Sequence, residues 1–98
     1  MLLKALFSKA RDLTPDQARQ FMHQRQPEEY TLLDVRQPGE YEQGHLPGGK
    51  LVPLPQLTQR LDELDPKKPV IAYCAVGGRS RAAAEMLAGR GFGEVYSL

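Results

Sequence analysis

Apolar residues along this 98-residue chain follow two different spacings, and the two alternate. Short apolar, partly β-branched runs bounded by Pro, Gly or charged residues indicate buried strands. These runs lie at residues 30–35, 50–53 and 94–98 and in the segment that opens at Val70. Between them, apolar side chains recur at helical spacing, as at Leu57, Leu61 and Leu64. Strands that alternate with helices predict an α/β fold, a small open parallel sheet of four to five strands with helices on both faces.

Several helix boundaries are also visible in the sequence. Thr14, Pro15 and Gln17 form a capping-box pattern, which predicts a helix running to about residue 24. Residues 38–43 suit one or two helical turns. A longer helix is predicted over residues 81–90, with Ser80 as its N-cap and Gly91 just past its end.

Residues 1–12 are predicted to be an N-terminal amphipathic helix or arm, and residues 13–98 a single domain. Four apolar side chains of the arm fall on one helical stripe: Leu2, Leu3, Leu6 and Phe7. We expect this stripe to pack on its own domain or on a second copy, with a membrane-surface anchor as the weaker alternative. The segment lacks the pattern of a signal peptide, and no apolar run in the sequence has transmembrane length.

Composition narrows the function classes without selecting one. A hydrophobic content of 41% and a charged content of 26% are ordinary for a globular domain. The formal net charge is +1 and the basic residues are not clustered, so a nucleic-acid partner is not expected. One cysteine excludes an internal disulfide and favours a cytoplasmic location. The sequence holds no CxxC pair or two-His cluster, so neither a metal nor another cofactor is expected.

That single cysteine, Cys74, follows the apolar run that opens at Val70. After it come Gly77 and Gly78, which let a short loop curl with its N–H groups facing inward, and then Arg79 and Ser80. Such a loop before a helix N-terminus favours an anion, so the Cys74 thiol should ionise readily. The alternative is that Cys74 is a small buried apolar residue, as most lone cysteines are.

Two separate motifs resemble those of rhodanese-like domains, and the resemblance runs from about Leu13 to Leu98. The motifs are Cys74-x-x-Gly77-x-Arg79-Ser80 and, upstream, Leu32-Leu33-Asp34-Val35-Arg36 followed by Glu40-Tyr41 and Gly44-His45-Leu46-Pro47-Gly48. The resemblance implies a sulfurtransferase in which Cys74 carries sulfane sulfur as a persulfide. The donor would be thiosulfate or a persulfide, and the acceptor a thiol, cyanide or another nucleophile.

The resemblance also implies roles for the residues around the cysteine. The loop N–H groups of Ala75, Val76, Gly77, Gly78 and Arg79 would stabilise the anionic sulfur, while Ser80 turns its hydroxyl toward it. Asp34, Arg36, Glu42 and His45 match positions that brace the loop, whereas Glu40 is interpreted as an ordinary surface charge. Ala75 and Val76 are neutral where other members carry basic residues, which leaves a protein or low-molecular-weight persulfide open as the donor.

Three other functions stay open at this point. A cysteine phosphatase or arsenate reductase uses a Cys-x5-Arg loop, whereas only four residues separate Cys74 from Arg79. A redox sensor would need a resolving cysteine from a partner. A non-catalytic binding module would have no need of the nucleophile, the glycines and the arginine together. Family members usually continue past the last strand with a further helix, so we expect a partner copy, the N-terminal segment or a missing fused domain to cover one side of the sheet.

Overall fold

Short parallel strands form the frame of the molecule. The structure is a computed structural model, which describes residues 10–98. The strands within that range are β1 (Ala10–Asp12), β2 (Thr31–Asp34), β3 (Lys50–Leu51), β4 (Val70–Tyr73) and β5 (Val95–Ser97). The helices are α1 (Pro15–His23), α2 (Pro38–Gln43) and α3 (Gly78–Ala88), with 3₁₀ helices at Pro27–Glu29 and Leu54–Glu63. The chain therefore has the predicted α/β fold.

All strand pairs of the sheet are parallel, and the order is β1-β5-β4-β2-β3. Strand β4 lies at the centre, with Ala72 opposite Leu33 of β2 and opposite Ser97 of β5. Its four residues are all buried. A central parallel strand is covered on both faces, which explains why Val70 to Tyr73 shows no polar alternation.

Each face of the sheet has its own core. On one face, α3 and the 3₁₀ helix Leu54–Glu63 pack over β4 through fully buried Leu57 and Leu87. On the other, Phe21 and Met22 of α1 pack on Leu32 and Ile71. The Thr14–Gln17 capping box that starts α1 is present, as expected. The prediction of helices on both faces is thus confirmed.

The N-terminal boundary differs from the sequence prediction. The sequence predicts residues 10–12 as part of the arm, but they form β1, which pairs with Val95 to Ser97 at the edge of the sheet. Strand pairing uses the backbone alone, and in β1 only Ala10 is buried, so no apolar alternation marks it in the sequence. The stripe of Leu2, Leu3, Leu6 and Phe7 lies outside the described residues, and its helix stays a prediction.

Three other elements are shifted in detail. Strand β3 ends at Leu51 rather than at Pro53, since proline has no N–H for a ladder. The segment from Leu54 to Glu63 is a 3₁₀ helix with a kink at Arg60, although Leu57 still lies in the core. Helix α3 begins at Gly78 after the N-cap Gly77, so Ser80 lies in the first turn and is not the cap; the helix ends at Ala88, before Gly91.

No helix within residues 10–98 combines the length and apolar character needed to cross a membrane.

Candidate active site

Cys74 directly follows the carboxyl end of the central strand β4 and is half-buried. Ligand sites of open parallel sheets collect at this edge. The chain then turns through Gly77, whose φ of +93° is one that glycine adopts without strain, and enters α3. This turn brings the N–H groups of Gly77 and Ser80 to 3.1 and 3.2 Å from Cys74 Sγ, and both donate to the sulfur.

These donors determine the acidity of Cys74. Burial, the largest single effect, raises the pKa of the thiol, but hydrogen bonds from the Ser80 side chain and from the N–H groups of Ser80, Gly77 and Val76 together outweigh it. The pKa of Cys74 is therefore lowered from its ordinary value. A lowered pKa populates the thiolate, which is the nucleophilic form of cysteine.

Ser80 is fully buried and its hydroxyl connects the sulfur to strand β5. Its Oγ lies 3.5 Å from Cys74 Sγ and 2.9 Å from the Oγ of buried Ser97. The same hydroxyl can donate to the main-chain oxygens of Gly77 and Leu98, at 3.0 and 3.1 Å. Ser97 was not identified from the sequence, where it is one polar residue in a short apolar run.

Arg79 is held by Glu40 of α2. The guanidinium donates through two nitrogens to the two carboxylate oxygens, at 2.7 and 2.9 Å, and this contact lowers the pKa of Glu40 to about 2. A bidentate pair of this kind fixes orientation as well as charge. Glu40 also accepts the N–H of Gln37 and so caps its own helix.

The interpretation of Glu40 and Glu42 is therefore corrected. The sequence predicts Glu40 as a surface charge and Glu42 as a support of the loop, but Glu40 contacts Arg79, whereas the Glu42 side chain is exposed and makes no hydrogen bond or ion pair within the described chain. Two residues along a helix correspond to a rotation of about 200°, so only one of these carboxylates can face Arg79.

Asp34 and Arg36 form a largely buried ion pair that holds the loop after α2. Asp34 is fully buried, and Arg36 donates to its carboxylate from Nε at 3.0 Å and from Nη2 at 2.8 Å. Burial is the largest effect on the Asp34 pKa and raises it, but hydrogen bonds from Arg36 and Tyr73 prevail and lower it overall. Arg36 also donates to the carbonyl oxygen of Gly44 at 2.7 Å, which ties the loop after α2 to β2.

His45 supports this loop from the exposed side. Its ring stacks on Tyr41 with centroids 3.6 Å apart, and Nδ1 lies 3.0 Å from the Tyr41 carbonyl oxygen. The next residue, Leu46, donates its N–H to the Tyr73 hydroxyl at 3.1 Å. The residues predicted as braces are thus brought to the same edge as Cys74, with Glu40 in place of Glu42.

A cavity of about 660 Å³ opens in front of Cys74. Its wall is mainly apolar, and the apolar side chains include Leu13, Leu46, Tyr73, Val76 and Leu98. No group of three or more His, Cys, Asp or Glu side chains within residues 10–98 is arranged to hold a metal ion. The arrangement can therefore stabilise an anionic sulfur beside a pocket of small-molecule size.

The sequence and the fold of this chain are similar to those of known proteins. The family model of the rhodanese-like domain matches residues 14–98. The chain belongs to the rhodanese-like family. Its sheet and helices superimpose on a rhodanese-related protein from Thermoplasma volcanium with a TM-score of 0.76 and 29% identity, covering 88% of this chain and 81% of that one.

Two curated proteins are similar to this chain in sequence. The uncharacterized protein YqhL of Bacillus subtilis is 46% identical over 67 residues, which cover 68% of this chain and 53% of YqhL. Thiosulfate sulfurtransferase GlpE of Pseudoalteromonas translucida is 32% identical over 71 residues, covering 72% of this chain and 68% of GlpE. The chain thus spans about half the length of YqhL and about a quarter of a longer plant relative.

Proposed function

We propose that this rhodanese-like chain is a sulfurtransferase that carries one sulfane sulfur as a persulfide on Cys74. The observation that supports the proposal best is the pair of N–H groups, from Gly77 and Ser80, that donate to Cys74 Sγ. The same donors would stabilise a persulfide anion, by the electrostatic principle of an oxyanion hole. GlpE, a relative of 32% identity, is named a thiosulfate sulfurtransferase.

In the first half-reaction the Cys74 thiolate attacks the sulfane sulfur of the donor. With thiosulfate, a bond forms between the Cys74 sulfur and the sulfane sulfur, the sulfur–sulfur bond of thiosulfate breaks, and sulfite leaves with the electron pair. The product is the Cys74 persulfide anion. In the second half-reaction a nucleophile such as cyanide takes the outer sulfur, leaves as thiocyanate and restores the thiolate. Charge is conserved in both steps.

The other residues of the site would hold this geometry. Arg79, oriented by Glu40, keeps the loop closed over the helix N-terminus, and Asp34 with Arg36 fixes the adjacent loop. None of these groups needs to exchange a proton with the substrate. The half-burial of Cys74 limits access of bulk water to the persulfide.

The direct test is intact mass after exposure to thiosulfate or a persulfide donor. We expect a gain of one sulfur atom that is lost on addition of cyanide, and no gain in Cys74→Ser, because a serine hydroxyl is a far weaker nucleophile at neutral pH. Cys74→Ser should retain the fold because the change is nearly isosteric, which circular dichroism checks. Sulfur transfer by purified Cys74→Ser would remove Cys74 from the mechanism.

The same preparation distinguishes the phosphatase alternative. The loop between Cys74 and Arg79 contains four residues, one fewer than a phosphate-sized Cys-x5-Arg loop. We expect no turnover of p-nitrophenyl phosphate. Turnover of that ester together with inertness toward every sulfur donor would favour the phosphatase.

A further inference from the structure

The opening of the active-site cavity is lined by exposed apolar side chains. Among the residues that the structure describes, the large hydrophobic side chains that remain exposed are Leu46, with 38% of its surface accessible, and Val76, with 91%. Both line the cavity in front of Cys74. Val76 is a residue of the active-site loop itself. Exposed apolar side chains gathered at one opening are typical of a binding site.

The two guanidinium groups near Cys74 are already paired with carboxylates, although Arg36 lines the cavity together with His45. Arg79 makes its bidentate contact with Glu40, and Arg36 makes its contact with Asp34. A dianion such as thiosulfate would therefore meet, within the described part of the site, guanidinium groups whose charge a carboxylate already balances. The loop N–H groups of Gly77 and Ser80 already donate to the sulfur of Cys74. Moving a dianion from water to an apolar wall without a free cation is unfavourable.

We propose that the preferred sulfur donor is a small organic persulfide, R–S–SH, in which R is an aliphatic chain that lies in this cavity. The inference rests on the proposed function of Cys74. The cavity volume of about 660 Å³ is typical of a small-molecule site. It is large enough for an R group of about two to six carbons. The apolar wall contacts R, while the reacting end of the donor faces the sulfur of Cys74.

The transfer step balances without an added oxidant or reductant. The Cys74 thiolate attacks the outer sulfur of R–S–SH, a new sulfur–sulfur bond forms and the original one breaks. The thiolate R–S⁻ leaves with the electron pair, and the outer sulfur keeps its proton as Cys74–S–SH. That proton then dissociates because the loop N–H groups favour the anion, and R–S⁻ takes up a proton from water.

The test compares donors on the full chain. Ethyl, butyl and hexyl persulfide, generated immediately before mixing, and thiosulfate are each reacted with the protein, and the second-order rate of persulfide formation on Cys74 is followed by rapid-quench intact mass. We expect the rate to rise about two- to four-fold for each added methylene, since a fully buried methylene favours binding about four-fold, and to be lowest with thiosulfate. A rate independent of chain length, or a rate with thiosulfate equal to that with hexyl persulfide, would overturn the proposal.

Variants connect this preference to the exposed apolar residues. Val76→Ser and Leu46→Ser should lower the ratio of the hexyl rate to the ethyl rate, and Val76→Lys should raise the thiosulfate rate relative to that of hexyl persulfide. Ala82→Ser, which also introduces a serine in place of an apolar residue but at an exposed position of α3 outside the cavity, is the control and should leave both ratios as they are. An unchanged hexyl-to-ethyl ratio in both Val76→Ser and Leu46→Ser would contradict the assignment.

The experiment distinguishes failure of the proposed function from failure of the proposed donor preference. If Cys74 gains no sulfur from any of the four donors, the proposed function itself is wrong. If Cys74 gains sulfur from thiosulfate and from the alkyl persulfides without a dependence on chain length, sulfur transfer stands and the aliphatic donor is rejected.

Discussion

At the scale of single residues, the hydroxyl hydrogen of Ser80 is one of the contributions that lower the pKa of Cys74. In the thiol form Cys74 donates to Ser80 Oγ, and the single hydroxyl hydrogen of Ser80 can go to the main-chain oxygen of Gly77 or of Leu98. When Cys74 is a thiolate, that hydrogen is best placed on the sulfur. Ser97, 2.9 Å away, can then donate its own hydrogen to Ser80 Oγ and so favours this orientation. We therefore infer that Ser97 acts on Cys74 through Ser80, as a positioning residue.

Ser97→Ala should therefore make Cys74 less reactive. Loss of the donor to Ser80 Oγ weakens the hydrogen bond from the Ser80 hydroxyl to the Cys74 thiolate. The midpoint of the iodoacetamide alkylation profile should therefore move to higher pH. The rate at neutral pH should fall about two- to ten-fold, the worth of one hydrogen bond of about 0.5–1.5 kcal/mol. Stopped-time alkylation across pH, read by mass, measures both.

Two variants of the same strand serve as controls. Ser97→Thr keeps the hydroxyl and should restore the profile, whereas Tyr96→Phe removes a hydroxyl that donates to Glu94 and should leave the profile in place. An alkylation midpoint that is unchanged in Ser97→Ala, even with a lowered melting temperature, would show that Ser97 has only a packing role.

The residues of the site differ in how far the sequence could predict them. Cys74 and its glycines are adjacent in the chain, so their spacing alone indicated an anion-binding loop. Glu40 and Ser97 reach the loop from α2 and β5, and their contacts depend on the rotation of a short helix and on strand order. Charge and polarity alone could not distinguish Glu40 from Glu42.

At the scale of the elements, the connection from β4 to α3 depends on two glycines with different requirements. Gly77 has φ of +93°, while Gly78 begins the helix and shows no atom within 4 Å of an added Cβ. Ser80 resembles an N-cap in the sequence because it is a hydroxyl residue before a helix-forming run. The N-cap is instead Gly77, and the Ser80 hydroxyl forms hydrogen bonds with Cys74 and Ser97.

This pair of adjacent glycines gives a matched prediction. Gly77→Ala should destabilise the fold by about 1–2 kcal/mol, because a Cβ strains a backbone of positive φ. It should also slow alkylation of Cys74, because the Gly77 N–H donates to the sulfur. Gly78→Ala should be neutral or stabilise by up to about 1 kcal/mol, since alanine restricts the unfolded chain at a position it fits.

Urea unfolding and the alkylation profile measure these two effects. Equal stability of the two alanine variants would contradict the requirement for glycine at position 77. A destabilised Gly77→Ala with an unaltered profile would mean that the loop keeps its donors despite the strain.

At the scale of the whole molecule, the order of the strands connects the site to the far edge of the sheet. Cys74 follows the central strand, Ser97 lies on β5, and β5 is paired on its outer side by β1. Leu13 donates its N–H to the Ser97 carbonyl oxygen at 2.8 Å, and Asp12 is 2.6 Å from Arg81 of α3. The chain before α1 thus contacts both β5 and α3, the two elements that surround Ser80.

The alternation of strands and helices was enough to predict the α/β fold, but it did not predict the edge strand β1. Strands β2, β4 and β5 are covered by helices and therefore consist mainly of apolar residues. These apolar runs are visible in the sequence, so the three strands could be predicted. Strand β1 is three residues, Ala10, Arg11 and Asp12, and only the first is buried. Its position results from backbone pairing with a strand more than eighty residues later in the chain, which no local pattern reports.

Two truncations separate the contribution of β1 from that of the residues before it. A chain lacking residues 1–9 keeps β1, and a chain lacking residues 1–12 loses it. We expect the longer deletion to melt at a temperature about 10 °C lower than the shorter one, since loss of a few ladder hydrogen bonds and of buried Ala10 costs roughly 2 kcal/mol and each kcal/mol shifts a domain of this size by about 4–8 °C. Because β1 pairs with β5, the longer deletion should also shift Cys74 alkylation to higher pH in the fraction that stays folded.

Thermal melts by circular dichroism and the alkylation profile measure the two effects, with the intact chain as reference. Two truncated chains with the same melting temperature would show that β1 contributes nothing to the fold, whereas a large loss already on removal of residues 1–9 would support the predicted packing of the Leu2, Leu3, Leu6 and Phe7 stripe.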